Sequence, residues 1–531
     1  MRGNADNERG IALRELPTGL GIVAGCVLMW LWGQAFVSEG YPSGNGWFDG
    51  LITGWEMLHG GFTQADDWRR HLHPLVLAWW GERIGYSTAG IYLSSIAAYM
   101  LVVGAALGGR ALAGPWAGAL AALSLPTVRI IAEAVRWVTF YPPLAGATAL
   151  AVGCGCCLAR WPRLGWAAAT GLATALAWAL DTRGVAVLPI VLVLLAIGMT
   201  RPQPTWRRIV LPLVLAAGLL PAPISHHRID GKIVPLEQQF ERQRDVARRW
   251  IDLSRNGDML HACRKFDPPA SIPLLGECSR SILTYNLNKE FRRAAPFPLW
   301  ITLCCLLLAL LPGRSGWRGS LAAAVALGGA ATLLAYQGLR IPTPPRYVLH
   351  LAGPLAMVVP VGLIRLARTA LPRKVGPWAA AAIAAAGAVY LVFVGNPAQI
   401  YRSTTQLNAE GQVLRDSVDA VRARLGPADR LMDCTELRVS TALLPRVVLP
   451  PPPMLRHLDE ERCQAWMESP EPGEGESWLL TDGRTDPVSA GMDGWELVVR
   501  SSSGVHVSQL WRWTGAAHSN STKTGTDVSS R

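Results

Sequence analysis

Charged side chains are scarce in this sequence. Asp, Glu, Lys and Arg make up 17% of its 531 residues, where soluble domains average roughly a quarter. The shortage is not that of a disordered chain, because half of the residues are hydrophobic and mean hydropathy is +0.23. Collagen is excluded by composition, and ten cysteines in a chain of this length do not make a small disulfide scaffold. The motifs of soluble enzymes are missing as well: no Walker loop, no G-x-G-x-x-G after a strand, no H-E-x-x-H and no G-x-S-x-G. There is no internal repeat. Nor are the apolar residues spread evenly, which excludes one large soluble enzyme. They fall into blocks of roughly 17 to 22 residues, the length a helix needs to cross about 30 Å of hydrocarbon.

Those blocks predict an α-helical polytopic membrane protein with about eleven transmembrane helices, near 16–37, 89–108, 115–133, 137–158, 165–180, 184–200, 209–225, 297–312, 319–338, 347–366 and 376–395. The first block, Leu16 to Val37, is too long for a signal-peptide core and lacks a clear small-residue cleavage site. Net charge is +12, and the excess sits in short loops between blocks. Such a distribution reports topology and not a nucleic-acid partner. Arg2, Arg9 and Arg14 put the N-terminus in the cytoplasm. The loops that then fall inside hold Arg110, Arg160 with Arg163, Arg201 with Arg207 and Arg208, Arg314 with Arg318, and Arg368 with Arg373 and Lys374. An odd number of crossings places the C-terminal region outside, as expected for a multi-pass inner-membrane (plasma-membrane) protein.

Three outside segments are long enough to fold. In the first, 38–88, Phe48, Leu51, Ile52, Trp55, Leu58 and Phe62 recur at helical spacing, as in a helix lying in the interface. A second helix starts at His73-Pro74. The second segment, 226–297, holds an amphipathic helix around Leu236 to Ile251. The third begins with a helix over Leu407 to Leu425 and continues in strand-like runs (Arg446–Leu449, Trp478–Thr481 and Trp495–Arg500), predicting a small α/β domain over 396–516 before a Ser/Thr-rich tail, 517–531. The transmembrane domain is then 1–395. Six cysteines lie in apolar blocks, where Cys156-Cys157 imitates a metal site but has no His or carboxylate beside it. The other four fall two per outside segment, Cys263 with Cys278 and Cys434 with Cys463, and predict two disulfides in an oxidising compartment.

Polar residues gather at the predicted outer face: Arg129, Glu133 and Arg136 near the end of the third helix, Asp181 with Arg183 in a short turn, and Arg340 with Arg346 in another. Ionisable groups at membrane depth are costly and default to a functional reading. Arginines match phosphate oxygens bidentately, and a carboxylate can act as general base towards a hydroxyl. The combination suits a phosphorylated lipid donor and a hydroxyl acceptor. The plainer alternative is that these groups anchor helix ends and pair with one another.

Four segments in order carry a family resemblance. The run Asp49-Gly50-Leu51-Ile52-Thr53-Gly54-Trp55-Glu56-Met57-Leu58-His59-Gly60-Gly61 follows the first membrane helix; His73-Pro74-Leu75 through Trp80 comes next; then Asp181-Thr182-Arg183-Gly184, and Pro345-Arg346-Tyr347-Val348-Leu349 with Pro354. Together, over roughly 15–395, the chain resembles the GT-C membrane glycosyltransferases, in the polyprenyl-phosphate-sugar-dependent branch of protein mannosyltransferases and aminoarabinose transferases. The resemblance implies Asp49 as the catalytic carboxylate, with Asp66 and Asp67 as competitors because Asp49 is followed by glycine where the family has a second acid. It implies Arg346, Arg183 and Tyr347 at the donor phosphate, and it leaves His73, Glu56, Glu133 and Arg136 as substrate-site candidates. Arg248-Arg249 and Arg292-Arg293 are weaker candidates for lipid phosphates. Asp49 could instead only cap the interfacial helix.

The function expected from this resemblance is inverting transfer of a hexosyl or pentosyl unit from a polyprenyl-phosphate carrier to a glycan, lipid or protein acceptor at the periplasmic face. A transporter or lipid flippase is the competing class, and a non-catalytic scaffold of the same fold is the third. Against transport, the polar groups gather at one face, away from the midplane, and no pair of broken helices marks two inverted halves. No cofactor is indicated. A divalent metal is compatible, yet the outside histidines (His59, His71, His73, His226 and His227) are too scattered to define ligand spacing.

Overall fold

The computed structural model describes residues 2–37, 58, 72–84, 86–134, 139–230, 251–252, 257–264, 276–291, 297–310, 316–342, 345–372 and 375–394, stretches of 412–435, residues 460–470 and 475–482, and stretches of 487–514. Six of its helical segments are long and apolar enough to cross a membrane, and four shorter apolar helices lie among them. In chain order the bundle comprises α1 (Arg2–Val37), α2 (Leu72–Ile84), α3 (Tyr86–Ala113), α4 (Pro115–Ser124), α5 (Arg129–Ala134), α6 (Tyr141–Arg160), α7 (Leu164–Leu180), α8 (Leu188–Met199), α9 (Thr205–Leu219) and α10 (Pro221–Asp230). Two short helices follow, α11 (Gly257–Cys263) and α12 (Glu277–Tyr285). The bundle then resumes with α13 (Leu299–Leu310), α14 (Gly316–Ala323), α15 (Gly329–Arg340), α16 (Ala352–Ala370) and α17 (Gly376–Val394).

The predicted helix over 115–133 departs from a single rod. It ends at Ser124, makes a 3-10 turn over Leu125–Thr127 that holds Pro126, and restarts at Arg129. Proline lacks the N–H that a continuing helix needs, and its ring crowds the preceding turn. The break gives the polar end of this element its own direction.

Small residues let the central helices approach. A Cβ on Gly104 of α3 would overlap the Ala149 backbone of α6, and one on Gly153 of α6 would overlap the Gly104 carbonyl. Gly104 and Gly108, like Ala149 and Gly153, are four residues apart and so share one helix face. This is the small-xxx-small pattern of membrane helix packing, where van der Waals contact replaces the hydrophobic drive. Around this seam lies the core of Leu101, Val102, Leu120, Leu158, Leu194, Leu211, Met357 and Ile364.

At one end of the bundle arginines close the helices. Helix C-termini leave carbonyls without partners, and cationic donors satisfy them. Arg365 on α16 donates from Nη1 to Ala309 O at the end of α13 (2.6 Å), and from Nη2 to Gly319 O in the first turn of α14 and Leu112 O at the end of α3. Arg160, the last residue of α6, donates to Ala111 O at 2.7 Å. Arg201 donates to Ala159 O at 2.6 Å. Arg110 pairs with Glu15 of α1 at 2.6 Å. This is the basic end of the bundle.

At the opposite end the bundle carries a four-stranded sheet: β1 (Arg430–Cys434), β2 (Ser477–Thr481), β3 (Trp495–Ser503) and β4 (His506–Trp513), in the order β1-β2-β4-β3. β1 and β2 are parallel, with Leu431 opposite Trp478, and the other pairs are antiparallel. Alternate residues of β2 face opposite ways. Trp478 and Leu480 join Leu431, Leu510 and Val421 in a core with Leu77 and Ala78 of α2 and Ala89 of α3. Leu479 faces the other side, with Trp466, Met467, Trp495 and Trp511. The sheet is thus seated on the α2–α3 pair. β2 and β3 cover the strand-like runs at 478–481 and 495–500. The run at 446–449 and the amphipathic helix at 236–250 lie outside the described residues.

Both expected disulfides are present: Cys263–Cys278 joins the end of α11 to α12, and Cys434–Cys463 ties β1 to the helix α18 (Glu460–Glu468). The remaining six cysteines are free, and Cys154, Cys156 and Cys157 are buried inside α6.

Candidate active site at the end opposite the basic loops

α7 stops at Leu180 because Asp181 turns extended, with φ −163° and ψ 143°. Its carboxylate then caps the 3-10 turn Thr182–Val187 by accepting from the Arg183 backbone N–H at 2.8 Å. The same carboxylate receives the Arg183 side chain in a fork, Nε to Oδ1 at 2.9 Å and Nη2 to Oδ2 at 3.2 Å. Gly184 completes the turn, donating to Asp181 O at 2.8 Å. A Cβ at Gly184 would run into the Ala177 carbonyl, so only glycine lets the turn lie this close to α7. Side-chain exposure is 4% for Asp181 and 19% for Arg183. Two of the guanidinium nitrogens are held by the carboxylate.

Three aromatic rings surround that guanidinium: Tyr141 at 5.3 Å, Phe140 at 5.4 Å and Tyr347 at 5.5 Å from the ring centroids. They come from distant parts of the chain. Phe140 and Tyr141 open α6, where Pro142 and Pro143 occupy the first turn and favour a helix start. Tyr347 comes from the single turn Pro345–Val348 and stacks on Tyr141 at 5.8 Å. His350, three residues on, is buried and hydrogen-bonded to the Tyr347 backbone, close enough to Asp181 and Arg183 to feel both charges. Ring faces attract a cation most where water is excluded.

Packing brings other predicted residues to the same place. Leu72 lies among Phe140, Leu144, Ala177 and Leu180, which carries the start of α2 and its buried His73 to the Arg183 turn. Ile130 packs on Phe291 and Val348, so α5, with half-buried Glu133, lies beside the Tyr347 turn. Asn286, just past α12, donates to Gly338 O at 2.9 Å and Ile341 O at 2.8 Å, fastening the second outside segment to the end of α15. Arg183, Tyr347, His73 and Glu133 therefore belong to one end of the bundle. Asp49, Glu56, Asp66, Asp67, Arg136, Arg248, Arg249, Arg292 and Arg293 lie outside the described residues, as does the side chain of Arg346. Among the described residues no group of three or more His, Cys, Asp or Glu could hold a metal ion.

Sequence reasoning missed Phe140, Tyr141 and His350. A signal existed for Tyr141, because the Tyr-Pro-Pro run marks a helix start at the polar end. His350 had none beyond its place three residues after Tyr347.

No family model matches the chain, and no curated protein does. Solved structures do. ArnT from Cupriavidus metallidurans bound to undecaprenyl phosphate superposes with a TM-score of 0.53 at 15% identity, covering 92% of this chain and 97% of that one. The same protein in the apo state gives 0.49 at 14% identity, with the same coverage of both chains. The archaeal oligosaccharyltransferase AglB from Archaeoglobus fulgidus, in complex with an inhibitory peptide and a dolichol-phosphate, gives 0.43 at 12% identity, covering 88% of this chain and 69% of that one. The chain has the fold of the ArnT structure bound to undecaprenyl phosphate.

Proposed function

We propose that the protein is a glycosyltransferase that moves a hexosyl or pentosyl unit from a polyprenyl-phosphate carrier to an acceptor hydroxyl or amine. The observation that carries the reading is the Arg183 site: a guanidinium forked by Asp181, ringed by three aromatics, and set in a fold shared with a protein that binds undecaprenyl phosphate. In this reading the basic end and the N-terminus face the cytoplasm, by the positive-inside rule. The Arg183 end and the C-terminal α/β domain (396–516) then face the periplasm.

Asp49 orients or deprotonates the acceptor, which attacks the anomeric carbon from the side away from the carrier. A new glycosidic bond forms as the bond to phosphate oxygen breaks, and polyprenyl phosphate leaves with the electron pair. Charge grows on that phosphate in the transition state. Arg346 and the Nη1 side of Arg183 stabilise it, in the way preorganised donors lower a barrier. Asp66 and Asp67 are the alternative bases. His73, Glu56, Glu133 and Arg136 complete the substrate site.

Purified protein in lipid vesicles, given polyprenyl-phosphate carrying a labelled sugar, tests the proposal. Transfer releases polyprenyl phosphate and moves label to the acceptor. A flippase would carry the donor across unchanged, and a scaffold would do neither; either result sinks the reading.

A further inference from the structure

We infer that the basic end carries a second phosphate site, formed by Arg110, Arg160 and Arg368 around Trp161 and Gly114, that takes the phosphodiester headgroup of an anionic phospholipid. It is separate from the glycosyl-transfer site and does not depend on that reading. The guanidinium carbons of Arg110 and Arg160 each lie 4.8 Å from the Trp161 ring centroid, so one indole gathers both cations. Arg160 also donates to Arg110 O at 3.2 Å. Gly114 begins the next helix with φ 102°, and its N–H donates to the same Arg110 carbonyl at 2.9 Å. Arg368 lays its guanidinium flat on Gly114: a Cβ there would stand 2.5 and 2.6 Å from its two terminal nitrogens. Glycine is favoured at that position by the left-handed backbone, and it leaves room for the Arg368 guanidinium.

Positive charge accumulates at this place. Gly114 is the N-cap of α4, so Arg368 sits over the positive end of a helix dipole. No described residue offers Arg368 an opposite charge. Arg368, Arg201 and Arg110 lie near enough to Arg160 to repel it, and Glu15 is the one described carboxylate near enough to offset that. Glu15 is already taken by Arg110. The loops that frame the site supply no further acid: residues 107–118, 157–166, 199–208, 314–320 and 363–376 contain no Asp or Glu, and the other acids of α1 at this end, Asp6 and Glu8, have side chains outside the described residues.

Arg365, one turn before Arg368, marks the difference. Its donors are met by the carbonyls of three helices, and it needs no anion. Arg160 uses Nη1 for its carbonyl bonds, one of them to the Arg110 carbonyl that also accepts from Gly114, the residue that Arg368 covers. A phosphodiester bridging Arg160 and Arg368 would satisfy both charges and the α4 N-terminus together. Trp161 supplies the amphipathic ring that favours the headgroup level. Basic pockets between membrane helices bind lipid headgroups on these terms.

The test uses the full-length protein in mixed micelles containing phosphatidylglycerol or phosphatidylcholine, with retained lipid weighed by native mass spectrometry. Wild type should keep phosphatidylglycerol and lose phosphatidylcholine, and millimolar inorganic phosphate should not displace the lipid. Arg368→Gln should weaken retention about fivefold, the equivalent of ~1 kcal/mol for one basic residue at a lipid surface. Arg368→Lys should lie between, and Arg163→Gln, on an exposed neighbouring loop, should match wild type. Equal retention of both lipids, or displacement by free phosphate, would overturn the lipid assignment without needing any variant. Wild-type retention in a monodisperse Arg368→Gln protein would remove Arg368 from the site. Neither result bears on sugar transfer.

Discussion

The two ends of the bundle use the same side chain in opposite ways. At the basic end Arg365 and Arg201 aim at backbone carbonyls of helix ends. At the other end Arg183 aims at a carboxylate and is faced by Phe140, Tyr141 and Tyr347. A carbonyl at a helix terminus has no other partner in a membrane, so an arginine there is structural in the strict sense that removing it leaves orphan groups behind. A carboxylate partner does something else. It holds the guanidinium in one orientation through Nε and Nη2. The partner of an arginine, more than its depth, distinguishes the two ends of this molecule.

The strongest way to break that contrast is Arg365→Met. Loss of the bonds to Leu112 and Ala309, near the ends of α3 and α13, leaves buried carbonyls unmet, at roughly 2–4 kcal/mol in sum. Thermal unfolding in detergent should show a large drop, and activity should fall only with the folded fraction. A stable but inactive variant would mean that the basic end takes part in chemistry.

Arg183→Lys should do the reverse. An ammonium lacks the fork that engages Asp181 and a phosphate together, so transfer should fall about a hundredfold, the scale of a lost preorganised donor, with melting nearly unchanged. Asp181→Asn, which frees Arg183 without removing it, should lower kcat less than Arg183→Lys does. If Asp181→Asn leaves kcat untouched, the carboxylate does not position the guanidinium.

Gly184→Ala should give the smallest loss. Its methyl group meets the Ala177 carbonyl, and overpacking of this kind costs about 1–3 kcal/mol. Displacement of the turn should reduce transfer through Arg183, while the same substitution at Gly165, which has open space around its Cβ position, should change neither stability nor rate.

Much of the bundle was legible because the bilayer fixes element length, and hydropathy reads that length directly. What escaped has physical causes. The break at Leu125–Thr127 turned on one proline inside an apolar run. β4 was invisible because Ser508, Gln509, Leu510 and Trp511 are all buried, so it shows no alternation to read. Arg365 was absorbed into the last turn of a predicted helix, and nothing local distinguishes a carbonyl-capping arginine from a loop cation. At the site, Asp181 with Arg183 was readable because the two are neighbours in sequence. The aromatic surround was not, because Tyr141 and Tyr347 are brought together only by packing of α6 against the turns that precede α16.

We propose sugar transfer at the Arg183 end, with Asp49 as the base. Asp49→Asn keeps the shape and the helix-capping ability of aspartate but removes its charge. Release of polyprenyl phosphate from a labelled donor should be measured for wild type and for this variant, with Asp66→Asn and Asp67→Asn beside them. The variant should melt like wild type and transfer at least about a hundredfold more slowly, the usual scale for a lost general base. An Asp49→Asn protein that releases polyprenyl phosphate at the wild-type rate would contradict the proposal.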